Sequence, residues 1–488
     1  EAGLRHDMFL KSERLSLSYY HDNKVGNVMA WFTSDIETVE EYLGWGTIML
    51  FDGIFLTILT LVKMFRLTIP LTIVTLLPVL LIVLWGALAE KFMSKKWELR
   101  QQAFDSLYDF SQENFTGIRV IKAFVKENQE ILTFSKVARK QFDVSMKFVK
   151  LSVRFDVIIE LIIALVVSLI LGFGGWFVYL CATGNPLFIG TYQVNITAGK
   201  LVEFLGYFDT LIWPLIALGQ IITMRAKAKA SIGRITNFLN TPEDIKDAPN
   251  AIEFRSKGKI TFNHFFFSFP DDPDGECLHD ISLTINPGEK IGVVGKIGSG
   301  KSILMNSLLR LYNVTPRSVL IDDVDIMDIK VKSLRDNIAI VPQDNFLFSD
   351  SIANNISFSD RTMSLDKAKA AAEFAGVNSD IMGFSKQYDT VSGERGVTLS
   401  GGQKQRISLA RAFAKDAPIL ILDDSVSAVD LKTEELILAN INNYRKDKTT
   451  IVIASRLSTV NHFDRIIVLN EGRLEAFFTR GDKMDKLH

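Results

Sequence analysis

Apolar residues crowd the first half of the chain in long runs, and the second half breaks into short ones. Four runs reach the ~20 residues that a helix needs to cross a bilayer: 46–64, 67–88, 156–181 and 200–222. The second and third, LTIPLTIVTLLPVLLIVLWGAL and DVIIELIIALVVSLILGFGGWFVYLC, stand on hydropathy alone, whereas the first and fourth carry acids. Segments 1–45 and 91–154 keep apolar residues at three- and four-residue steps without membrane hydrophobicity. They read as long cytosolic extensions of the spans, and 63–66 as a short external loop.

The rhythm changes near 239–258, where two prolines and many charges in LNTPEDIKDAPNAIEFRSKGK mark a linker. Beyond it, short β-branched runs alternate with helical patterns: KITFNHFFFSF, SVLIDD, IAIVPQ, ILILDD, TTIVIAS, RIIVLNEGR. Such alternation predicts a largely parallel α/β domain. The expected organisation is an all-α polytopic membrane domain over 1–238, a linker over 239–258 and an α/β domain over 259–488.

Composition changes this picture little. Hydrophobic residues make up 48% of the 488 and mean hydropathy is +0.18. A net charge of −1 gives no electrostatic case for nucleic-acid binding. Cys181 and Cys277 have no metal-ligand spacing and read as free thiols. Charge does set orientation. The segment 91–154 is rich in basic residues (Lys91, Lys95, Lys96, Arg100, Arg119, Lys122, Lys126), and 182–199 is not. By the positive-inside rule the former is cytosolic and the latter external, which puts both chain ends in the cytosol. Lys63 and Arg66 are an exception on the external side. Asp52, Glu160, Glu203 and Asp209 fall within or beside spans and are candidates for contact with a transported molecule.

The sharpest chemistry lies in GKIGSGKS, residues 295–302, between the strand KIGVV and the helix SILMNSLLRLY. It fits the phosphate-binding loop, and the strand–loop–helix context is the required one. Gly295, Gly298 and Gly300, with Lys296, Ile297 and Ser299 between them, let backbone N–H groups curl around phosphate oxygens. The helix start at Lys301, Ser302 and Ile303 adds a positive dipole end. Lys301 reaches the β- and γ-phosphates and Ser302 ligates magnesium. ILILDD then delivers Asp423 as the magnesium-side carboxylate. Gln343, after IAIVP, is placed to touch the metal or the attacking water. Phe269, in FSFP, suits stacking on a base and equally suits core packing.

LSGGQKQRISLARAF, residues 399–413, with the phosphate loop and the Asp423 strand, resembles the ATP-binding-cassette (ABC) signature. The cassette match runs from about 255 to 480. The membrane half resembles the exporter type, whose helices continue deep into the cytosol. LSLSYYHDNKVGNVMAWFTSDIETVEEYL and ENFTGIRVIKAFVKENQE look like its two coupling segments, with coupling helices near 16–26 and 124–131. VSGERG, 391–396, also occurs in that branch. The resemblance implies ATP and Mg2+ as ligands, and six spans per half, so that two would precede residue 1. It further implies that two cassettes close head to tail around two ATPs. Ser400, Gly401, Gly402 and Gln403 would then contact ATP held by a partner's phosphate loop.

Three positions depart from the pattern. Asp424 stands where active members carry a Glu as base or water orienter. Ser455 stands at the switch histidine, and Ile303 replaces a hydroxyl residue. With the signature intact, this resembles the degenerate half of a bacterial heterodimeric multidrug exporter. The expected function is half of an ATP-driven exporter of amphipathic compounds such as drugs or lipids. Its partners are a second half with an intact catalytic Glu and the lipid bilayer, and its place is the plasma membrane. A homodimeric exporter with slow turnover, or an ATP-gated channel or regulatory subunit, are the alternatives.

Overall fold

The computed structural model describes residues 1–184, 188–189, 192–270, 272–393, 396–426, 429–454, 457–461 and 463–479. By contacts the chain divides into two units: Met29–Phe238 with Glu1, and Ala2–Val28 with Leu239–His488.

The first unit is helical, with a two-residue strand pair at Phe188–Ile189 and Tyr192–Gln193. After α1 (Ala2–Arg14) and α2 (Leu17–Asp22), α3 runs over Val25–Leu67, widened by π turns at Trp31–Asp35 and Tyr42–Gly46. Then come α4 (Ile69–Thr116), the short α5 (Ile118–Ala123), α6 (Glu127–Ala182) and α7 (Ala198–Asn240). At about 1.5 Å per residue, the 56 residues of α6 reach about 84 Å, far beyond a hydrocarbon core of ~30 Å. The long extensions are therefore real. Among the described residues α3, α6 and α7 are long and apolar enough to cross a membrane, and α4 opens with the apolar Ile69–Leu81. The four expected segments thus fall on four helices, three of which qualify as spans by length and composition among the described residues.

Two local expectations differ from what is observed. The loop expected at 63–66 is helical. The turn is Thr68 alone, in an extended conformation, followed by Pro70 in the first turn of α4, where its missing N–H costs nothing. The helix expected near 124–131 is displaced. Gly117 ends α4, α5 occupies 118–123, and Val125 at φ 52° reverses the chain into α6. α4 and α6 then pack antiparallel, joined by the ring pairs Trp85–Phe155, Trp97–Phe148 and Phe110–Phe134 at 5.1, 5.6 and 6.4 Å. Gly174 makes room on α6 for the Leu201 side chain of α7, since a Cβ there would lie 2.3 Å from it. Nearer the ends of α3 and α7, the buried Asp35 accepts from Arg234 Nε and Nη2 at 2.7 and 2.6 Å and from Ser231 Oγ at 2.9 Å.

Residues 2–28, expected with the membrane half, group with the second unit. The reason is polar. Ser16 Oγ donates to Asp244 at 2.7 Å, and Lys11 pairs with Glu243 at 3.2 Å. The linker is itself strapped down: Arg310 Nη2 donates to the Lys246 carbonyl, Asn313 to the Asp244 carbonyl, and Val331 N–H to Asp247.

The domain that follows holds two sheets. Strands β1 (Ile260–Phe269), β2 (Asp272–Ile285), β4 (Val319–Ile321) and β5 (Val324–Asp325) form an antiparallel sheet in the order β2-β1-β4-β5. The other is six-stranded, order β10-β9-β3-β8-β7-β6. Its strands are β3 (Lys290–Val294), β6 (Ile338–Val341), β7 (Ile419–Asp423), β8 (Thr449–Ile453), β9 (Arg465–Asn470) and β10 (Arg473–Thr479). Only β10 in it is antiparallel. The expectation of a largely parallel sheet thus holds for one sheet and not for the other. β7 and β8 are buried along their whole length, as strands covered on both faces must be.

Candidate nucleotide site

β3 and β7 are neighbours but one in the sheet, and both deliver chemistry at their C-terminal ends. Beyond β3 the chain turns through Gly295, Gly298 (φ 83°) and Gly300 (φ 92°) into α8 (Lys301–Leu308). The glycines are required by contact as well as by conformation. A Cβ on Gly295 would lie 2.0 Å from the Leu469 carbonyl oxygen, and one on Gly300 would lie 2.5 Å from Leu278. The loop is thus wrapped against β9 on one side and β2 on the other.

The resulting cavity, about 230 Å³, is lined by residues 295 and 297–303, Gln343, Asp423, Asp424 and Ile453. The structure therefore brings together the phosphate loop, both aspartates and Gln343, as the sequence predicts. Lys301 turns its ammonium back onto the loop, donating to the carbonyls of Gly295 and Lys296 at 2.8 and 2.7 Å. Burial pushes its pKa down, against the pull of Asp423 and Asp424. Asp423 is buried at the end of β7, and desolvation raises its pKa. A hydrogen bond from Ser302 and the charge of Lys301 act in the other direction, and Asp424 adds to the rise. A buried carboxylate held so is a group short of a cation. Ser302 and Asp423 fit magnesium, which takes few protein ligands and completes its shell with phosphate oxygens and water.

Asp424 is half-buried in a left-handed conformation, φ 45°, with its N–H donating to the Ile453 carbonyl at 3.0 Å. Its carbonyl accepts from Gln405 Nε2 at 3.2 Å. Gln405, from α9 (Gly401–Lys415), is a support that sequence reasoning missed, because nothing in the spacing ties α9 to the end of β7. Ser455 lies outside the described residues, as do Glu394 and Arg395 of VSGERG.

The structure does not bring every candidate to the loop. Phe269 lines a separate cavity and packs edge-on to Phe267 and Tyr312 at 5.3 and 5.7 Å. Ser400, Gly401, Gly402 and Gln403 are also absent from the phosphate cavity. Ser400 caps α9 in a reciprocal box with Gln403, whose side-chain amide also donates to Asp380 at 3.1 Å. Arg406 pairs with the same Asp380 at 2.9 Å. The start of α9 is thereby rigid and exposed.

A phosphate loop, a strand-end Asp and a capped signature helix, in one chain with three helices long and apolar enough to cross a membrane among the described residues, define an ATP-binding cassette joined to a membrane domain. The comparisons agree. The family described as ABC transporter matches residues 278–427, and the ABC transporter transmembrane region matches 1–215. The probable multidrug resistance ABC transporter ATP-binding/permease protein YheI of Bacillus subtilis is 33% identical over 459 residues, 94% of this chain and 76% of that protein. The multidrug resistance-like ATP-binding protein MdlA of Escherichia coli is 32% identical, over 96% of this chain and 78% of its own length. A bacterial Atm1-family ABC exporter with ATP bound superposes with a TM-score of 0.78 at 28% identity, covering 98% of this chain and 82% of that one. The chain belongs to the ABC transporters, as an exporter with fused membrane and ATP-binding domains that couples ATP hydrolysis to transport across the cell membrane.

Proposed function

We propose that this chain is the degenerate half of a heterodimeric exporter. It holds ATP at its own phosphate loop, hydrolyses it slowly, and lends Ser400–Gln403 to the site of a partner that has the catalytic Glu. The observation that carries the reading is Asp424, the side chain next to Asp423 in the phosphate cavity. One methylene shorter than Glu, its carboxylate is withdrawn by about 1.5 Å. A displacement of about 1 Å in a catalytic group can cost on the order of 10²-fold in rate. The exposed, pre-capped signature supports the lending role.

Within this reading Ser302 and Asp423 hold the magnesium ion, with Gln343 beside it. Lys301 leaves its two carbonyls for the β- and γ-phosphates. Asp424 orients water poorly, so ATP persists. The turn after α5, where Phe124 and Val125 are 70% and 81% exposed, suits docking on a second cassette. The basic residues of 91–154 support a cytosolic cassette. The multidrug names of the relatives support amphipathic cargo such as drugs or lipids. Radiolabelled ATP trapped during steady turnover should stay unhydrolysed at one site per complex, on this chain. Equal conversion to ADP at both sites would refute the reading.

A further inference from the structure

Gln405 is buried on α9, yet its amide is only half used. Nε2 donates to the Asp424 carbonyl at 3.2 Å, and Oε1 finds no partner among the described residues. An amide buried with one atom orphaned works against folding, because that atom has given up its water for nothing. A methionine of similar length would fill the same space without that penalty. Stability does not explain the residue. The atom at the far end of its bond does.

That bond ends on a backbone that needs holding. Asp424 sits at φ 45° beside Asp423, and two hydrogen bonds fix it: its N–H donates to the Ile453 carbonyl at the end of β8, and its carbonyl accepts from Gln405. The backbone that carries the Asp424 side chain at the phosphate cavity is thus set jointly by the sheet and by α9. α9 is also the helix whose start carries Ser400–Gln403, and Gln405 lies five residues past Ser400, about 7.5 Å along the axis. The helix is braced to move as one piece with its surroundings. Arg406 donates to the Gly376 carbonyl at 2.6 Å and to Asp380 at 2.9 Å, and Arg411 donates to the Asn355 and Phe346 carbonyls at 2.8 and 2.9 Å.

We infer that Gln405 is a positioning residue for hydrolysis at this chain's own site, through which the signature end of α9 sets the backbone of Asp424. The inference rests on Ser400–Gln403 engaging ATP held by a partner. When that ATP draws the start of α9 into place, Gln405 carries the displacement to Asp424, next to the magnesium-side carboxylate. Capture of one nucleotide thereby sets the residue that orients water for the other.

The test is single-turnover hydrolysis of radiolabelled ATP at this chain's site, in the intact complex with the partner site silenced at its catalytic Glu. Gln405→Met should lower the rate constant by about three- to tenfold, the worth of one hydrogen bond, with the ATP concentration for half-maximal rate unchanged and the thermal midpoint unchanged or higher. Gln405→Glu, which keeps the length and lacks the donor when ionised, should lower the rate constant as much. Ser400→Arg should also slow this site, and adding it to Gln405→Met should slow it no further, because both act through one bond. Losses that multiply in the double variant overturn the inference and leave the lending role of the signature standing. So does a rate constant unmoved by both Gln405 variants. Ser400→Arg without effect on the ATPase of the unsilenced complex overturns the lending role itself.

Discussion

The Ser302 hydroxyl donates a hydrogen bond to the buried carboxylate of Asp423, joining the first turn of α8 to the end of β7. The bond pairs the two groups that would ligate a shared cation. Ser302→Ala removes one metal ligand and leaves Asp423 with less support for its charge. Magnesium-dependent ATP binding to this chain should weaken by about tenfold, the worth of a hydrogen bond to a charged group. Binding of ATP in EDTA should change much less. Equilibrium binding with and without magnesium checks it.

Burial raises the pKa of Asp423 above its ordinary 3.8. The folded state therefore binds this proton more tightly than the unfolded one. Asp423 contributes stability that is fully present below pH 3.8 and is lost as pH rises through the raised value. Asp423→Asn should accordingly raise the thermal midpoint of the nucleotide-free protein at neutral pH and abolish magnesium-dependent binding. With wild-type Asp423, that binding should fall on acidification sooner than for an exposed carboxylate. Calorimetry on the two forms across pH 4 to 7 tests the sign.

Ser400 and Asp424 should separate by site. Ser400→Arg fills the exposed start of α9 and leaves this chain's own phosphate cavity intact. It should remove most ATPase activity of the complex, while Asp424→Asn removes little. The opposite ranking would end the degenerate-half reading.

Asp424→Glu and Ser455→His should raise hydrolysis at this site, and together by more than the product of the single effects, because both act on one transition state. The structure adds a cost. At φ 45° Asp is among the residues that visit the left-handed region, whereas other L-residues are disfavoured there by roughly 1–2 kcal/mol. Asp424→Glu should therefore lower cassette stability while raising the rate. The rate is read in a complex whose partner site is silenced at its catalytic Glu.

Asp35→Ala would strand Arg234 and Ser231 between α3 and α7. Asp35 is buried but the Arg234 side chain is half exposed, so water takes over part of the lost bonding and the cost should be about 1–3 kcal/mol. The double variant Asp35→Ala with Arg234→Ala should recover part of that loss, and the thermal midpoint in detergent is the measurement.

The phosphate loop was legible because its glycines, Lys301 and Ser302 stand at a fixed spacing between a strand and a helix, although the contacts of Gly295 with Leu469 and of Gly300 with Leu278 were not. The long helices were legible because sustained apolar length and three- to four-residue periodicity specify them. The turn at Thr68 was not, since an apolar β-branched stretch reads alike as helix or loop. Nor was the grouping of residues 2–28 with the cassette. It depends on Ser16 meeting Asp244 across 228 positions, and no periodicity reports such a contact. The left-handed backbone of Asp424 is set by the Ile453 and Gln405 hydrogen bonds. A reading of side-chain length alone sees the withdrawn carboxylate and misses the conformation that favours it.

The wide turns at Trp31–Asp35 and Tyr42–Gly46 each take up an extra residue within α3. A π turn completes its revolution with one residue more than an α turn, so losing one residue from 42–46 would let the helix close to regular geometry and leave the positions on either side nearly in phase. A residue lost from the regular helix between Gly46 and Leu67 would instead turn everything before it by about 100° around the axis. Asp35 would then leave the side of α3 that meets Arg234, although no residue of that pair had been altered. For this helix the wide turns are therefore the places where chain length can change without rotation, and descent along this family should tolerate a lost residue at 42–46 far more readily than elsewhere in α3.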